Sequence, residues 1–402
     1  MQETLSHYFG YKSFRPGQEE IITKILNHQH TLGVLPTGGG KSICYQVPGL
    51  MQGGTTIVIS PLISLMKDQV DQLQAMGIQA AYLNSSLTHK QQKEIEEQIK
   101  RGAIQFLYVA PERFENTFFL NLLRKIEIPL IAFDEAHCIS KWGHDFRPSY
   151  QSVIQKVFTL PQNFTIVALT ATATAEVQQD IMSKLSIGQN DVVKTSTKRR
   201  NLIFKVNPTY QRQKFVVDYV ANHEGQAGII YCSTRKQVEE LHEALNSEKI
   251  KSTIYHAGLT NKERIEAQND FLYDRVEVVI ATNAFGMGID KSNVRYVIHY
   301  NMPGDLESYY QEAGRAGRDG LKSECILLFS ERDKGLHEYF ITVSQADDDY
   351  KDKMGEKLTK MIQYTKTKKC LEATIVHYFE PNENLEECEQ CSNCVQENKT
   401  YD

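Results

Sequence analysis

Residues 130–137 read Leu130, Ile131, Ala132, Phe133, Asp134, Glu135, Ala136 and His137, four apolar residues running into two carboxylates. A short unbroken apolar run suits a strand buried on both faces, as in a parallel sheet flanked by helices. Two carboxylates where such a strand emerges suit a divalent cation and an attacking water, and equally the cap of a following helix. Within ten residues come Trp142, the only tryptophan of the chain, Phe146 and Arg147. Rings and a guanidinium so close together suit stacking on nucleic-acid bases. A lone tryptophan also suits a core or an interface.

The same rhythm extends in both directions. Apolar runs at 31–35, 55–60, 79–83, 105–110, 130–134 and 165–170 alternate with amphipathic stretches of helical length, and the pattern restarts at 228–232, 252–256, 276–282, 294–300 and 324–329. This alternation predicts two α/β domains of similar size, each a parallel sheet covered by helices, joined in the charged stretch 194–201. After Ser330 the strand pattern stops, and helical patterns lead into a cysteine cluster. The expected domains are 1–196, 197–332 and a small helical module at 333–402. A chain of 402 residues exceeds what one hydrophobic core serves.

Composition narrows the class. With 41% hydrophobic and 24% charged residues, no apolar stretch near the ~20 residues of a membrane span, and a polar start after Met1, the reading is a soluble chain with no membrane partner. Eight cysteines, four scattered and four near the end, do not form a secreted disulfide framework, so a reducing, cytoplasmic location is expected. At a net charge of −5, any nucleic-acid binding must come from local patches.

Three further stretches carry chemistry. Pro36, Thr37, Gly38, Gly39, Gly40, Lys41 and Ser42 follow a strand and precede an apolar helix, the context of a phosphate-cradling loop. Its glycines let N–H groups close on phosphate oxygens, Lys41 neutralises the β and γ phosphates, and Ser42 is a magnesium ligand with Asp134. The strict pattern asks for glycine where Leu35 stands. With this loop present, Glu135 reads as the general base. Gln311, Glu312, Gly314, Arg315, Gly317 and Arg318 close a predicted helix, and two arginines three apart in a glycine-rich turn suit a phosphate, or else a solvated helix end. Cys388, Cys391 and Cys394, with Cys370 upstream, suit a closed tetrahedral zinc site, and a cysteine triplet also occurs in iron–sulfur ligation.

Taken in order, these stretches resemble the RecQ family of superfamily 2 DNA helicases through nearly the whole chain. The resemblance implies two tandem RecA-like domains followed by a helical zinc-binding module. Phe9 to Gln18 match the adenine-reading segment, which implies cofactor contacts from Tyr11, Arg15 and Gln18. Thr37 to Ser42 match motif I, Pro61 to Asp68 motif Ia, and Asp134 to Pro148 motif II with the aromatic-rich loop. Ala168 to Ala173 match motif III, Tyr231 to Arg235 motif IV, Ala281 to Asp290 motif V, and Gln311 to Gly320 motif VI. The family then implies that Gly288 and Asp290 lie near nucleotide, that Arg318 is an arginine finger assisted by Arg315, that Trp142, Phe146 and Arg147 sense single-stranded DNA, and that His137 couples that loop to hydrolysis. Eight residues follow Cys394, whereas the family usually continues into a winged-helix domain and often a further helical one, so the chain reads as a short form.

The resulting expectation is a monomeric ATPase using ATP, Mg2+ and Zn2+, moving 3′ to 5′ on single-stranded or partly duplex DNA in repair or recombination. Two other readings remain open on the residues. An RNA-dependent ATPase would share the motor, and an ATP-dependent switch would bind without unwinding. A guanine-specific switch is excluded, because Asn261 and Lys262 are followed by Glu263 and Arg264, with no aspartate for the base.

Overall fold

Thirteen strands form two separate all-parallel sheets in a computed structural model, which describes residues 1–143, 145–283, 285, 291–383 and 386–397, apart from the side chains at 63, 64, 396 and 397. The first sheet is built from β1 (Thr31–Val34), β2 (Thr56–Ile59), β3 (Ala80–Leu83), β4 (Phe106–Val109), β5 (Leu130–Phe133), β6 (Thr165–Thr170) and β7 (Val192–Lys194). Its order is β3-β4-β2-β5-β6-β1-β7. The second contains β8 (Leu202–Pro208), β9 (Ala227–Tyr231), β10 (Ser252–Tyr255), β11 (Val278–Ala281), β12 (Val294–His299) and β13 (Ser323–Phe329), in the order β10-β11-β9-β12-β13-β8. The chain divides into a unit spanning Met1–Thr197 and a second that begins at Lys198.

Alternation along each strand sends neighbouring residues to opposite faces. On β5, Ile131 and Phe133 join one core while Leu130 and Ala132 join the core on the other face. On β9, Ile229 and Tyr231 are parted from Ile230 in the same way. Both faces are therefore buried under helices, as the unbroken apolar runs require. Crossover helices start where their caps are supplied: Thr88 and Thr260 form reciprocal capping boxes with Gln91 and Glu263.

Strands β7 and β8 lie in or beside the charged stretch read as a joint, and the sequence did not mark them. Each is an edge strand of its sheet. β7 is three residues long, and β8 alternates buried Leu202 and Phe204 with half-exposed Ile203 and Lys205. Edge strands meet less of the core, so their apolar signal is weak. Beyond β13, helices Asp348–Lys366 and Leu371–Phe379 share the core of the second sheet through Leu358, Met361, Tyr364, Leu371, Ile375 and Phe379, joined by Cys394 of Ser392–Glu397, while Ile341 of Glu331–Val343 packs against it.

Candidate active site and cysteine centre

In the first sheet β6 lies between β1 and β5, so the C-terminal ends of these three strands bring together the loop after β1, Thr170, and the Asp134-Glu135 pair. Ligands of open parallel sheets bind beyond such strand ends. Leu35 donates its N–H to the Thr170 carbonyl at 3.0 Å, and its side chain is buried in the core. That burial is why leucine is accepted where the strict loop pattern has glycine. Gly38 and Gly40 adopt left-handed conformations, with φ of 79° and 73°. A Cβ on Gly40 would also lie 2.5 Å from the Gln18 amide nitrogen. Thr37 is buried, and Ser42 begins helix Ile43–Gln52 without a side-chain capping bond.

Gln18 is buried against this loop. Its amide oxygen accepts from the Arg15 N–H at 2.8 Å, and its amide nitrogen donates to the carbonyls of Gly39 at 3.2 Å and Gly40 at 2.9 Å. The bonds that the resemblance assigns to an adenine edge are made here to the phosphate loop itself. The Arg15 guanidinium bonds the Gly38 carbonyl, and Tyr11 is exposed.

Asp134 is buried at the end of β5, its N–H on the Ile59 carbonyl at 2.9 Å. Burial, and then the charge of Glu135, push its carboxyl up to about 7, with Lys41 pulling it down. A carboxylate so disfavoured fits a cation, and magnesium suits the donor set of Asp134 and Ser42. Glu135 itself has φ 48° and ψ 50°, a conformation that costs a non-glycine residue about 1–3 kcal/mol. The helix anticipated after it is a single 3-10 turn, Ala136–Ile139. The Glu135 Oε2 atom is buried without a hydrogen bond and lies 3.4 Å from His137 Nδ1.

His137 Nδ1 also lies 3.1 Å from the Thr170 hydroxyl, which donates to the Thr172 carbonyl at 3.0 Å. Thr170 is a residue that the sequence reading did not single out, although it stands in the matched motif III. Gly143 is another: a Cβ there would fall 2.2 Å from the His137 carbonyl oxygen, so the aromatic-rich loop folds directly onto the root from which it leaves. Arg147 closes the same loop, donating its N–H to the Cys138 carbonyl at 3.1 Å. Its guanidinium bonds Asp145 at 3.0 and 3.2 Å and the Pro61 carbonyl at 3.0 Å, tying the loop to motif Ia. Trp142 is partly buried against the core, with the Lys141 ammonium 5.3 Å from its ring, and Phe146 is half-buried.

In the second unit, helix Leu306–Ala313 is capped by Asp305 and ends at Gly314. Gln311 is half-buried on its last turn, Arg315 is buried beyond it, and Arg318 follows left-handed Gly317, φ 57°. Gly288 and Asp290 lie outside the described residues. Cys370, Cys388, Cys391 and Cys394 place their four sulfurs within 4.8 Å of one another. A tetrahedral zinc with ~2.3 Å bonds separates its sulfurs by about 3.8 Å, so the cluster fits that ion. Backbone N–H groups of Leu371, Cys388 and Cys391 point at cysteine sulfurs at 3.3 Å, as thiolates require. The crowded thiols titrate together: the hydrogen bond from Cys370 pulls Cys391 down to about 4 and pushes Cys370 up.

Comparison with known proteins agrees in all three segments. Residues 15–181 match the DEAD/DEAH box helicase family, 211–320 the helicase conserved C-terminal domain, and 331–395 the RecQ zinc-binding family. The chain is 48% identical over 402 residues to the ATP-dependent DNA helicase RecQ of Bacillus subtilis, covering 100% of this chain and 68% of that one. It is 42% identical over 398 residues to the Haemophilus influenzae protein of the same name, covering 99% and 64%. The chain therefore spans about two thirds of the length of these relatives. Among solved structures, yeast Dbp5 bound to RNA and ADP BeF3 superposes with a TM-score of 0.69 at 19% identity, covering 89% of this chain and 97% of that one. The Mycobacterium smegmatis helicase Lhr bound to ssDNA and AMP-PNP gives 0.67 at 16%, covering 91% and 57%. At such identity these two structures speak for the fold, a pair of RecA-like parallel-sheet units. No helix among the described residues is long and apolar enough to cross a membrane.

Proposed function

The chain belongs to the RecQ family of ATP-dependent DNA helicases and is an enzyme of that type, and from that premise we propose that it couples ATP hydrolysis to 3′-to-5′ movement on single-stranded DNA, unwinding partly duplex DNA in repair or recombination. The observation that carries the reading is Glu135, whose buried, unbonded Oε2 sits beside His137 at the end of β5. An acceptor kept out of hydrogen bonds inside a polar pocket suits a base that takes a proton from water. The His137 contacts to Glu135 and Thr170 hold its orientation.

The remaining roles are those that the family resemblance implies. Thr37, Gly38, Gly39, Gly40 and Lys41 cradle the phosphates, while Tyr11, Arg15 and Gln18 hold the adenine once Gln18 exchanges its bonds to the loop. Ser42 and Asp134 hold magnesium, which offsets phosphate charge when bound. Gln311, Arg315 and Arg318 meet the charge that develops on the γ-phosphate, and the resemblance alone assigns Gly288 and Asp290, outside the described residues, to nucleotide binding. Trp142 and Phe146 stack on bases. Arg147, whose guanidinium already holds Asp145 and Pro61, serves DNA by shaping the loop that presents them. Cys370, Cys388, Cys391 and Cys394 hold a structural zinc. We divide the chain into domains at 1–196, 197–332 and 333–402, and read it as a cytoplasmic monomer; none of its eight cysteines is in a disulfide, which suits a reducing compartment.

The test is turnover with and without single-stranded DNA. Wild type should hydrolyse ATP faster with DNA than with RNA of equal length. Glu135→Gln should bind nucleotide yet lose turnover, because an amide cannot accept the proton. Near-normal turnover in that variant would refute the assignment.

A further inference from the structure

We infer that Arg199, assisted by Asn201, is the positioning residue of the arginine-bearing turn. This rests on the reading of Arg315 and Arg318 as groups that stabilise phosphate charge. The Arg199 guanidinium donates to the carbonyls of Gly314 at 2.7 Å, Ala316 at 3.0 Å and Gly317 at 2.7 Å. Asn201 adds its amide N–H to Gly317 at 2.8 Å and Leu321 at 3.1 Å. Two of these carbonyls belong to the peptide units that lead directly into Arg315 and Arg318. A peptide unit is planar, so turning its carbonyl toward Arg199 sets the direction in which the next residue departs.

The turn needs such a partner. It lies past the C-terminus of helix Leu306–Ala313, where carbonyls lose their intrahelical donors and the helix dipole is negative. One guanidinium answers both, because its planar fork carries five donors and a permanent charge. An ammonium concentrates three donors on one atom and cannot span the same set. Gly317 fits the clamp: its φ is left-handed, and a Cβ there would lie 2.5 Å from the Asn201 amide nitrogen. The clamp is itself anchored, since Gln390 donates to the Arg200 carbonyl at 2.8 Å and Ser392 accepts from the Val206 N–H at 3.2 Å. Arg199 thus stands on a segment held by the cysteine module and reaches more than a hundred residues along the chain to the turn.

The test is a double-mutant cycle in the full chain, reading DNA-stimulated kcat, KM for ATP, fluorescent ADP affinity and melting temperature. Arg318→Ala should lower kcat about 10³-fold, as loss of an arginine finger does. Arg199→Ala should lower kcat about 10²-fold with KM and ADP affinity within about threefold, as expected of a misplaced group, and Arg199→Lys should recover part of the loss. In an Arg315→Ala/Arg318→Ala background, Arg199→Ala should add less than about threefold, because both groups it positions are gone. Should Arg199→Ala melt too low to assay, Asn201→Ala removes two of the bonds and is read in the same cycle. If Arg318→Ala leaves kcat unchanged, the reading of the arginines has failed and the inference falls with it. If Arg318→Ala is impaired, positioning alone is overturned by either of two results: a normal kcat in the clamp variants, or an equal loss in both backgrounds.

Discussion

Replacing Gly143 by alanine tests whether the aromatic-rich loop speaks to Glu135, proposed as the base, through backbone contact. No left-handed φ is required at this position, so alanine is compatible with the chain conformation and the added methyl is the whole perturbation. Its Cβ would meet the His137 carbonyl oxygen at 2.2 Å, the His137 carbonyl carbon at 3.1 Å and the Ser140 oxygen at 3.2 Å. All three are backbone atoms, so no flexible side chain can swing aside. Relief requires the loop and the His137 peptide to separate by about 1 Å, and overpacking of this kind costs about 1–3 kcal/mol. For a unit of this size that lowers the melting temperature by about 3–10 °C, which leaves a folded protein at assay temperature. The functional cost is larger, because a displacement of about 1 Å near the reacting groups is worth about 10²-fold in rate. DNA-stimulated kcat should fall by about that factor, while KM for ATP stays within about threefold, since the loop at 36–42 is untouched. Gly335→Ala is the matched control: it lies in helix Glu331–Val343 with nothing within 4 Å of its Cβ, so it should raise stability slightly and leave turnover alone. A folded Gly143→Ala protein whose DNA stimulation lies within twofold of wild type would refute the contact as a coupling path.

Three further outcomes are expected. Thr170→Val keeps shape and removes the hydroxyl 3.1 Å from His137 Nδ1, so kcat should fall about tenfold at unchanged KM, measured by steady-state ATPase. Asp134, raised to about 7 by burial and by Glu135, is an acid whose ionised form the fold disfavours. In buffer with EDTA its contribution is therefore fully present below about pH 4 and lost as pH rises through about 7, a change on the order of 4 kcal/mol. Urea unfolding should show Asp134→Asn gaining on wild type across that window, and a pH-independent difference would refute the account. Elemental analysis should find about one zinc per chain, and stripping it or making Cys391→Ala should lower the melting temperature of the second unit. Iron with visible absorbance would point instead to a cluster.

What could be read from the chain alone was local. The apolar run Leu130 to Phe133, the glycines at 38–40 and the spacing of Cys388, Cys391 and Cys394 each specify their own neighbourhood, because strand burial, left-handed turns and ligand spacing are satisfied within a few residues. These were enough to anticipate two helix-flanked parallel sheets and the position of the 36–42 loop and of Asp134 and Glu135 at strand ends. Edge strands β7 and β8 escaped because an edge is defined by what lies beside it, and the order of strands is not written in any one of them. The same holds for the contacts that arrange the site. Thr170 reaches His137 only because β6 lies beside β5, Gly143 is constrained only because the loop folds back on its root, and Arg199 acquires a role only when the turn at 314–317 is brought to it. Residue type and spacing select the chemistry, whereas hydrogen-bond partners far apart in the chain are chosen by packing, and only the folded structure decides them.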